Sequence, residues 1–531
     1  MTAEPGHTAT PGHTAGVRRT ADPGRAPGAR RTAVPVLDGI WLRPGNPGYE
    51  EARRVWNGMH NRRPAHIVRC RTVADVRRAL RFAAEAGYDV TVRGGGHNVA
   101  GTAVADDTVM VDLSLMRGVD VDPAARTARA QGGCLLGDLD AATEPHGLVC
   151  PTGIISRTGL AGLALGGGYG WLSRRWGLTC DHVLAAQVVL ADGSVVEATE
   201  RDHHELLWAL RGGGGNFGVV TRFTLRLRPA VPVHRRTGVY ELADAEQALA
   251  NYRAFAGELS ADLHVAGALK VAGQYGGYET WLPERLRGRP ALYLTAVWFG
   301  APERGDAASE PLFAALPPAA TTSGEVAYRQ LQSGGDHERP DGNRYYTKTR
   351  YLTGIPAPAT AEMVDSLAAM PSPLSSINFE YLRGAIADVP DEDSAFPNRD
   401  APFIHTVSAQ WSGPSGGAAG AERATEPEDA ENIAWTRHSV ERLDPWSHAG
   451  GYVNYLVDER DGKVREIYGD ARYRRLAAVK EAYDPGNVLH HNQNIRPDQN
   501  IHPDDQDIRP DQDIHPDQDI PVTVTRPATP E

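Results

Sequence analysis

Apolar and polar positions alternate along this chain in short runs, most of them closed by a glycine. Val73, Val76, Leu80 and Ala84 share one face at helical spacing, which predicts a helix ending at Gly87. Thr72 ahead of them, with Asp75 three residues on, is a capping-box pattern. Asp89-Val90-Thr91-Val92 then alternates with the period of a strand, and the pairs Val109/Val111 and Val119/Val121 predict two more. Residues 135–143 read as a helix. Residues 188–196 read as a hairpin turning at Asp192-Gly193, and residues 206–210 as a short helix. Alternation returns over residues 220–227 and stops before Pro229.

The texture changes after residue 232. Strand-like runs at 291–299, 376–382 and 403–411 alternate with helical segments, predicting a second domain at 233–445 built on an antiparallel sheet. Residues 446–494 are rich in Tyr and Asn, as expected of a segment folding back over the first domain at 60–232. The two ends are of another kind. Residues 1–34 repeat Pro-Gly-His-Thr-Ala, and residues 495–531 repeat units such as Asp507-Ile508-Arg509-Pro510-Asp511-Gln512. Neither has clustered apolar residues to offset the entropy of ordering, so both are expected to be disordered.

Charge and cysteine content narrow the function classes. Of the net −12, the last 37 residues hold −6 and the first 34 hold +3, leaving an acidic body. That gives no footprint for nucleic acid. The four cysteines are too few for a disulfide scaffold and lack zinc spacing. His203-His204 and His490-His491 have no carboxylate or cysteine nearby in sequence, so no metal site is expected. No apolar run approaches membrane-spanning length, and no signal-peptide pattern follows the basic N-terminus, so a cytoplasmic protein is expected.

The candidate chemistry begins at Arg93-Gly94-Gly95-Gly96-His97-Asn98, directly after the predicted strand. Three glycines let backbone N–H groups converge on an anion, and Arg93 adds charge. His97 at the rim is a neutral nucleophile near pH 7. A glycine-rich turn beside a satisfied histidine is the plainer alternative. Gly213, Gly215 and Gly218 match G-x-G-x-x-G, but a helix precedes the run and a strand follows, the reverse of a dinucleotide-binding fold.

A second small-residue block, Ser156-Arg157-Thr158-Gly159-Leu160-Ala161-Gly162 through Gly166-Gly167-Gly168-Tyr169-Gly170, suits backbone lying against a large flat ligand. With the first turn and the run at 212–220, it resembles the vanillyl-alcohol-oxidase-type FAD-binding fold. Gly451-Tyr452-Val453-Asn454-Tyr455, Tyr468-Gly469, Tyr483-Asp484-Pro485-Gly486-Asn487 and Asn492-Gln493-Asn494 resemble the C-terminal signature of the berberine-bridge-enzyme-like oxidases. The resemblance covers residues 60–495 in order. It implies an α+β protein: a two-subdomain FAD-binding domain and a substrate domain whose antiparallel sheet is covered by helices.

The resemblance also implies FAD bound covalently through His97, a link that holds the flavin and raises its potential. The backbone of Arg93, Gly94, Gly95, Gly96 and Asn98 would hold the pyrophosphate. Thr158, Gly159, Gly162, Gly168 and Val220 would lie along the flavin, with Asn492 and Asn494 returning toward it. Many relatives carry a second bond from a cysteine 14 residues before the tyrosine matching Tyr169. That position is Ile155 here, and Cys150 lies five residues too early, so a single histidyl bond is expected.

For catalysis, Tyr455 matches the base of the family's sugar oxidases and Tyr169 its partner tyrosine; the alternative for each is a structural tyrosine at a sheet–cofactor interface. Asn378 and Glu380 share a strand face. Were it turned to the flavin, Glu380 would be the rival base; a solvated face is the plainer reading. The expected activity is an oxidase taking hydride from a C–OH group of a small molecule, sugar or natural product in secondary metabolism, with O2 reduced to H2O2. The alternatives are C–N oxidation of the hydroxynicotine-oxidase type, a dehydrogenase with another acceptor, or a flavoprotein that only sequesters a compound.

Overall fold

The computed structural model describes residues 34–275, 279–412, 426–448, 450–457 and 462–498. The repetitive tails lie outside these, apart from residues 34 and 495–498. Ile495 is fully buried and donates its N–H to Asn216 Oδ1 at 3.0 Å, so the folded chain runs past residue 494.

The first sheet contains β1 (Ile40–Leu42), β2 (His66–Arg69), β3 (Val90–Arg93) and β4 (Val109–Asp112), in the lateral order β1-β2-β4-β3. β2, β4 and β3 are parallel, so the chain must cross over, and the helix Val73–Ala86 does this between β2 and β3. Its capping box forms as anticipated. Thr72 Oγ1 accepts from the Asp75 N–H at 3.2 Å, the Asp75 carboxylate accepts from the Thr72 N–H, and left-handed Gly87 ends the helix.

The second sheet is antiparallel and uses β5 (Val119–Asp122), β6 (Thr127–Gln131), β8 (Val183–Val189), β9 (Val195–Ala198) and β10 (Val219–Arg226), in the order β5-β6-β10-β8-β9. β7 (Leu148–Val149) and β11 (Arg228–Pro229) make a separate short ladder. The predicted hairpin is β8–β9, with Gly193 at φ +83° in its turn.

The third sheet holds β12 (Val233–Glu241), β13 (Leu263–Val271), β14 (Pro290–Phe299), β15 (Ala320–Glu325), β16 (Arg344–Leu352), β17 (Ser376–Tyr381), β18 (Phe403–Trp411) and β19 (Ser447–His448), all antiparallel, in the order β15-β12-β14-β13-β17-β18-β16-β19. Helices Ala245–Ala256, Gly305–Ala314, Ala357–Ala368 and Glu426–Glu441 cover one face, burying Leu249, Phe313, Met363 and Trp435 against it. The opposite face looks toward the glycine turns of the first two sheets.

The C-terminal helix Asp470–Tyr483 packs Leu476, Val479 and Tyr483 into the core of the second sheet. Lys480 and Asp484, both fully buried, pair at 2.6 Å. Lys480 Nζ also donates to the carbonyls of Asn216 and Leu489, so all three of its protons are used. This ties the closing segment to the 212–218 glycine run. Among the described residues no helix is long and apolar enough to cross a membrane.

Candidate active site

The turn after β3 is built by steric exclusion. A Cβ on Gly95 would lie 2.5 Å from Gly159 N, so only glycine lets this turn touch the second glycine block. Gly96 follows at φ +68°. His97 then stacks on Trp56 with ring centroids 4.2 Å apart, and Trp56 stacks on Tyr345 at 3.7 Å. Burial, and then the Arg157 cation, lower the His97 pKa to about 4, so the imidazole is neutral at pH 7. Its Nε2 is buried without a hydrogen-bond partner.

Arg93 corrects the expectation that it charges the turn. Its guanidinium forks onto Asp112 at 2.9 and 2.5 Å and donates to the carbonyls of Ala52 and Arg54. It joins β3 to β4 and is absent from the wall of the main cavity.

That cavity, of about 750 Å³, lies between the glycine turns and the open face of the third sheet. Gly94, Gly95, Gly96, His97, Asn98, Thr158, Gly159, Gly162, Val220 and Asn492 line it, as expected from sequence. Asn492 donates its amide to Gly215 O at 3.1 Å and leaves Oδ1 without a partner. Two expected residues stand back from the wall. Gly168 donates its N–H to Tyr452 Oη at 3.1 Å, and a Cβ there would strike Thr179 Oγ1 at 2.4 Å, so its glycine is a packing requirement. Asn494 is also outside the lining, its Oδ1 buried without a partner. The run set aside as a dinucleotide fingerprint does lie between a helix and a strand, His204–Leu210 and β10, yet Gly214, Gly215 and Gly218 line the cavity.

At the opposite end stand Tyr169, Tyr455 and Glu380. Tyr452 wedges edge-on against both Tyr169 (5.2 Å) and Tyr455 (5.1 Å) and fixes the pair. Interaction between the two hydroxyls raises the Tyr169 pKa and lowers that of Tyr455. Burial raises both pKa values, Tyr169's far more. For Tyr455 the interaction with Tyr169 and the Arg339 cation work against that rise, and the Glu380 charge adds to it. Tyr455 is therefore the more acidic phenol of the two.

Glu380 corrects the solvated-face reading. β17 lies inside the sheet, Asn378 and Glu380 both face the cavity, and Glu380 is only 8% exposed. Its Oε2 is 3.1 Å from Nε2 of buried His264, whose ring packs edge-on to Trp171. The rest of the sheet face is hydroxyl-rich. Thr237 and Thr295 are hydrogen-bonded across β12 and β14, and Thr347 and Ser408 across β16 and β18, both at 3.1 Å. Lys270, which the sequence did not single out, donates to Glu338 at 2.9 Å over the ring of Tyr293.

Ile155 is in the cavity wall, whereas Cys150 is fully buried elsewhere, its thiol pushed up by burial. The histidine pair does have a carboxylate near it in space, since Val488 and Leu489 pack into the core that holds β3 and bring Asp89 beside it. Asp89 Oδ2 lies 3.8 Å from His490 Nε2 and 3.6 Å from His491 Nε2. These three offer ligand atoms close enough together to hold one cation.

The cavity fits a large, flat, anionic cofactor: three glycine stretches leave backbone exposed to it, and His97 Nε2 and Asn492 Oδ1 lack partners. Comparison with known proteins agrees. Residues 64–199 match the model of the FAD binding domain, and residues 451–496 the model described as berberine and berberine like. (R)-6-hydroxynicotine oxidase of Paenarthrobacter nicotinovorans is 30% identical over 484 residues, 87% of this chain and 97% of the relative. The carbohydrate oxidase of Microdochium nivale is 25% identical over 86% of this chain and 92% of its own. The crystal structure of 6-hydroxy-D-nicotine oxidase from Arthrobacter nicotinovorans superposes with a TM-score of 0.75 at 26% identity, covering 88% of this chain and 100% of that one. With this cavity, these matches and four glycine- and tyrosine-rich motifs in register, the chain belongs to the berberine-bridge-enzyme-like family of FAD-linked oxidoreductases.

Proposed function

We propose that this enzyme takes a hydride from a C–OH carbon of a small polar molecule, with FAD held covalently by His97 and O2 as the electron acceptor. Bound FAD supplies the two-electron acceptor and passes the electrons to oxygen. His97 supports the covalent link because it is neutral, buried and unpartnered at Nε2. Ile155 in the wall and Cys150 outside it support a single bond. The backbone N–H groups of residues 94–98 and the Gly214–Gly215 turn would hold the pyrophosphate.

The observation that carries the reading is the half-buried Tyr169–Tyr455 pair, opening onto a hydroxyl-lined floor beside that cradle. Tyr455, in its ionised form, is the group that takes the substrate hydroxyl proton, becoming a neutral phenol as it does so. Tyr169 and the Arg339 cation favour the ionised form beforehand. Tyr455→Phe is expected to lower kcat by about 10²-fold or more with flavin content unchanged. An equal fall in flavin content would assign Tyr455 to packing instead.

One observation favours C–N oxidation: the identity to (R)-6-hydroxynicotine oxidase extends over nearly that whole protein. A neutral amine gives up hydride without a strong base, so on that reading Tyr455→Phe retains most of its activity.

A further inference from the structure

Among the charged groups lining the cavity, Arg235 stands apart. Lys270 is neutralised by Glu338 at 2.9 Å, Glu380 faces His264 at 3.1 Å, and Arg339 donates to Gln410 Oε1 at 2.7 Å and Ser376 Oγ at 3.1 Å. The Arg235 side chain, half-buried in the cavity wall, has neither a hydrogen bond nor an ion pair with any described residue. Burial alone acts on its pKa, lowering it, and no carboxylate is near enough to matter. A half-buried guanidinium with no protein partner keeps its donors for a ligand, and its planar fork matches a carboxylate.

The surroundings complete an anion site. Arg235 lies on β12 between Val297 of β14 and Gly324 of β15, where the neighbouring strand carries no side chain to cover it. Two residues along the same face, Thr237 pairs with Thr295 on one side and Thr322 on the other, placing three hydroxyls beside it in the cavity. A Cβ on Gly334, just after the helix Tyr328–Ser333, would stand 4.0 Å from Arg235 Nη1, so this loop meets the guanidinium at van der Waals distance with no side chain of its own at that position.

We infer that the substrate carries a carboxylate, which Arg235 binds through its fork with the hydroxyls of Thr237, Thr295 and Thr322 around it. The substrate class is thus an acidic alcohol, such as a uronic or hydroxy acid. The inference rests on reading this cavity as the oxidase's substrate site.

The test uses the flavin-loaded protein and two matched pairs, benzoate with benzamide and D-glucuronate with D-glucose. Affinities come from calorimetry, and proximity to the cofactor from the flavin difference spectrum. The carboxylate of at least one pair should bind roughly 10- to 100-fold more tightly than its neutral partner. That preference should shrink with added salt, vanish in Arg235→Gln and return in part in Arg235→Lys, with circular dichroism and Tm confirming that both variants fold. No carboxylate preference in either pair, or one that survives in Arg235→Gln, would overturn the inference. Arg235-dependent binding that leaves the flavin spectrum unchanged would keep the anion site and refute the cavity's role in oxidation.

Discussion

At the scale of single residues, the site is a set of buried groups whose charge states are set by neighbours. Glu380 is the most informative, because its negative charge raises both tyrosines. If Tyr455 is the base, its raised pKa means that kcat/KM climbs with pH on the alkaline side. Glu380→Gln then shifts that limb to lower pH without abolishing turnover. If Glu380 is the base, the same variant loses activity at every pH. A pH–rate profile of the two proteins separates these outcomes. Legibility in sequence also differed by residue. The place of His97 in the cavity wall was readable because it directly follows three glycines at the end of a predicted strand. Arg93 was misread because its partner Asp112 lies 19 residues away on the neighbouring strand. Arg235 gave no signal, since an arginine in a strand shows only in three dimensions that nothing pairs with it.

At the scale of elements, the two glycine blocks are one device. Gly95 and Gly159 interlock so closely that a Cβ on either would come within 2.5 Å of the other's backbone. Gly95→Ala should therefore push the turns apart and yield a folded protein with little bound FAD, read from visible absorbance and circular dichroism. Retention of full flavin would show that the turn does not form the cradle. Lys480→Met should strip the carbonyls of Asn216 and Leu489 of their donor and leave Asp484 a buried lone charge. The expected loss is about 3–5 kcal/mol, visible as a lower denaturation midpoint. Most helices and strands were legible because apolar periodicity and caps are local. Which face of β17 meets the cavity was not. Strand period groups Asn378 with Glu380, but only the sheet's position between the helices and the FAD-binding region decides what that face sees.

At the scale of the whole molecule, two sheets and a returning C-terminal segment wall one side of the cavity proposed to hold the cofactor, and the third sheet supplies its polar opposite face. Several buried histidines make this assembly acid-sensitive. His66 accepts the Trp41 indole N–H at Nδ1 and is lowered to about 4 by burial, and His405 is lowered to about 3. Both lie below the ordinary value near 6.5, so the unfolded chain takes up protons that the folded one refuses. Their contribution is complete above about pH 6.5 and is lost as pH falls toward 4. Asp140, raised to about 7 by burial, acts oppositely, its contribution falling as pH rises toward 7. The histidines outnumber it, so Tm should fall between pH 7 and pH 5; a Tm that stays level or rises would refute this. Substrate chemistry was the least legible level, because the cavity floor is assembled from seven strands far apart in sequence. The most direct test of the account is acid precipitation of the purified protein followed by peptide mapping of the flavin. The account predicts yellow colour retained on the peptide containing His97 and on no other. Flavin released to the supernatant, or found on a peptide containing Cys150, would contradict it.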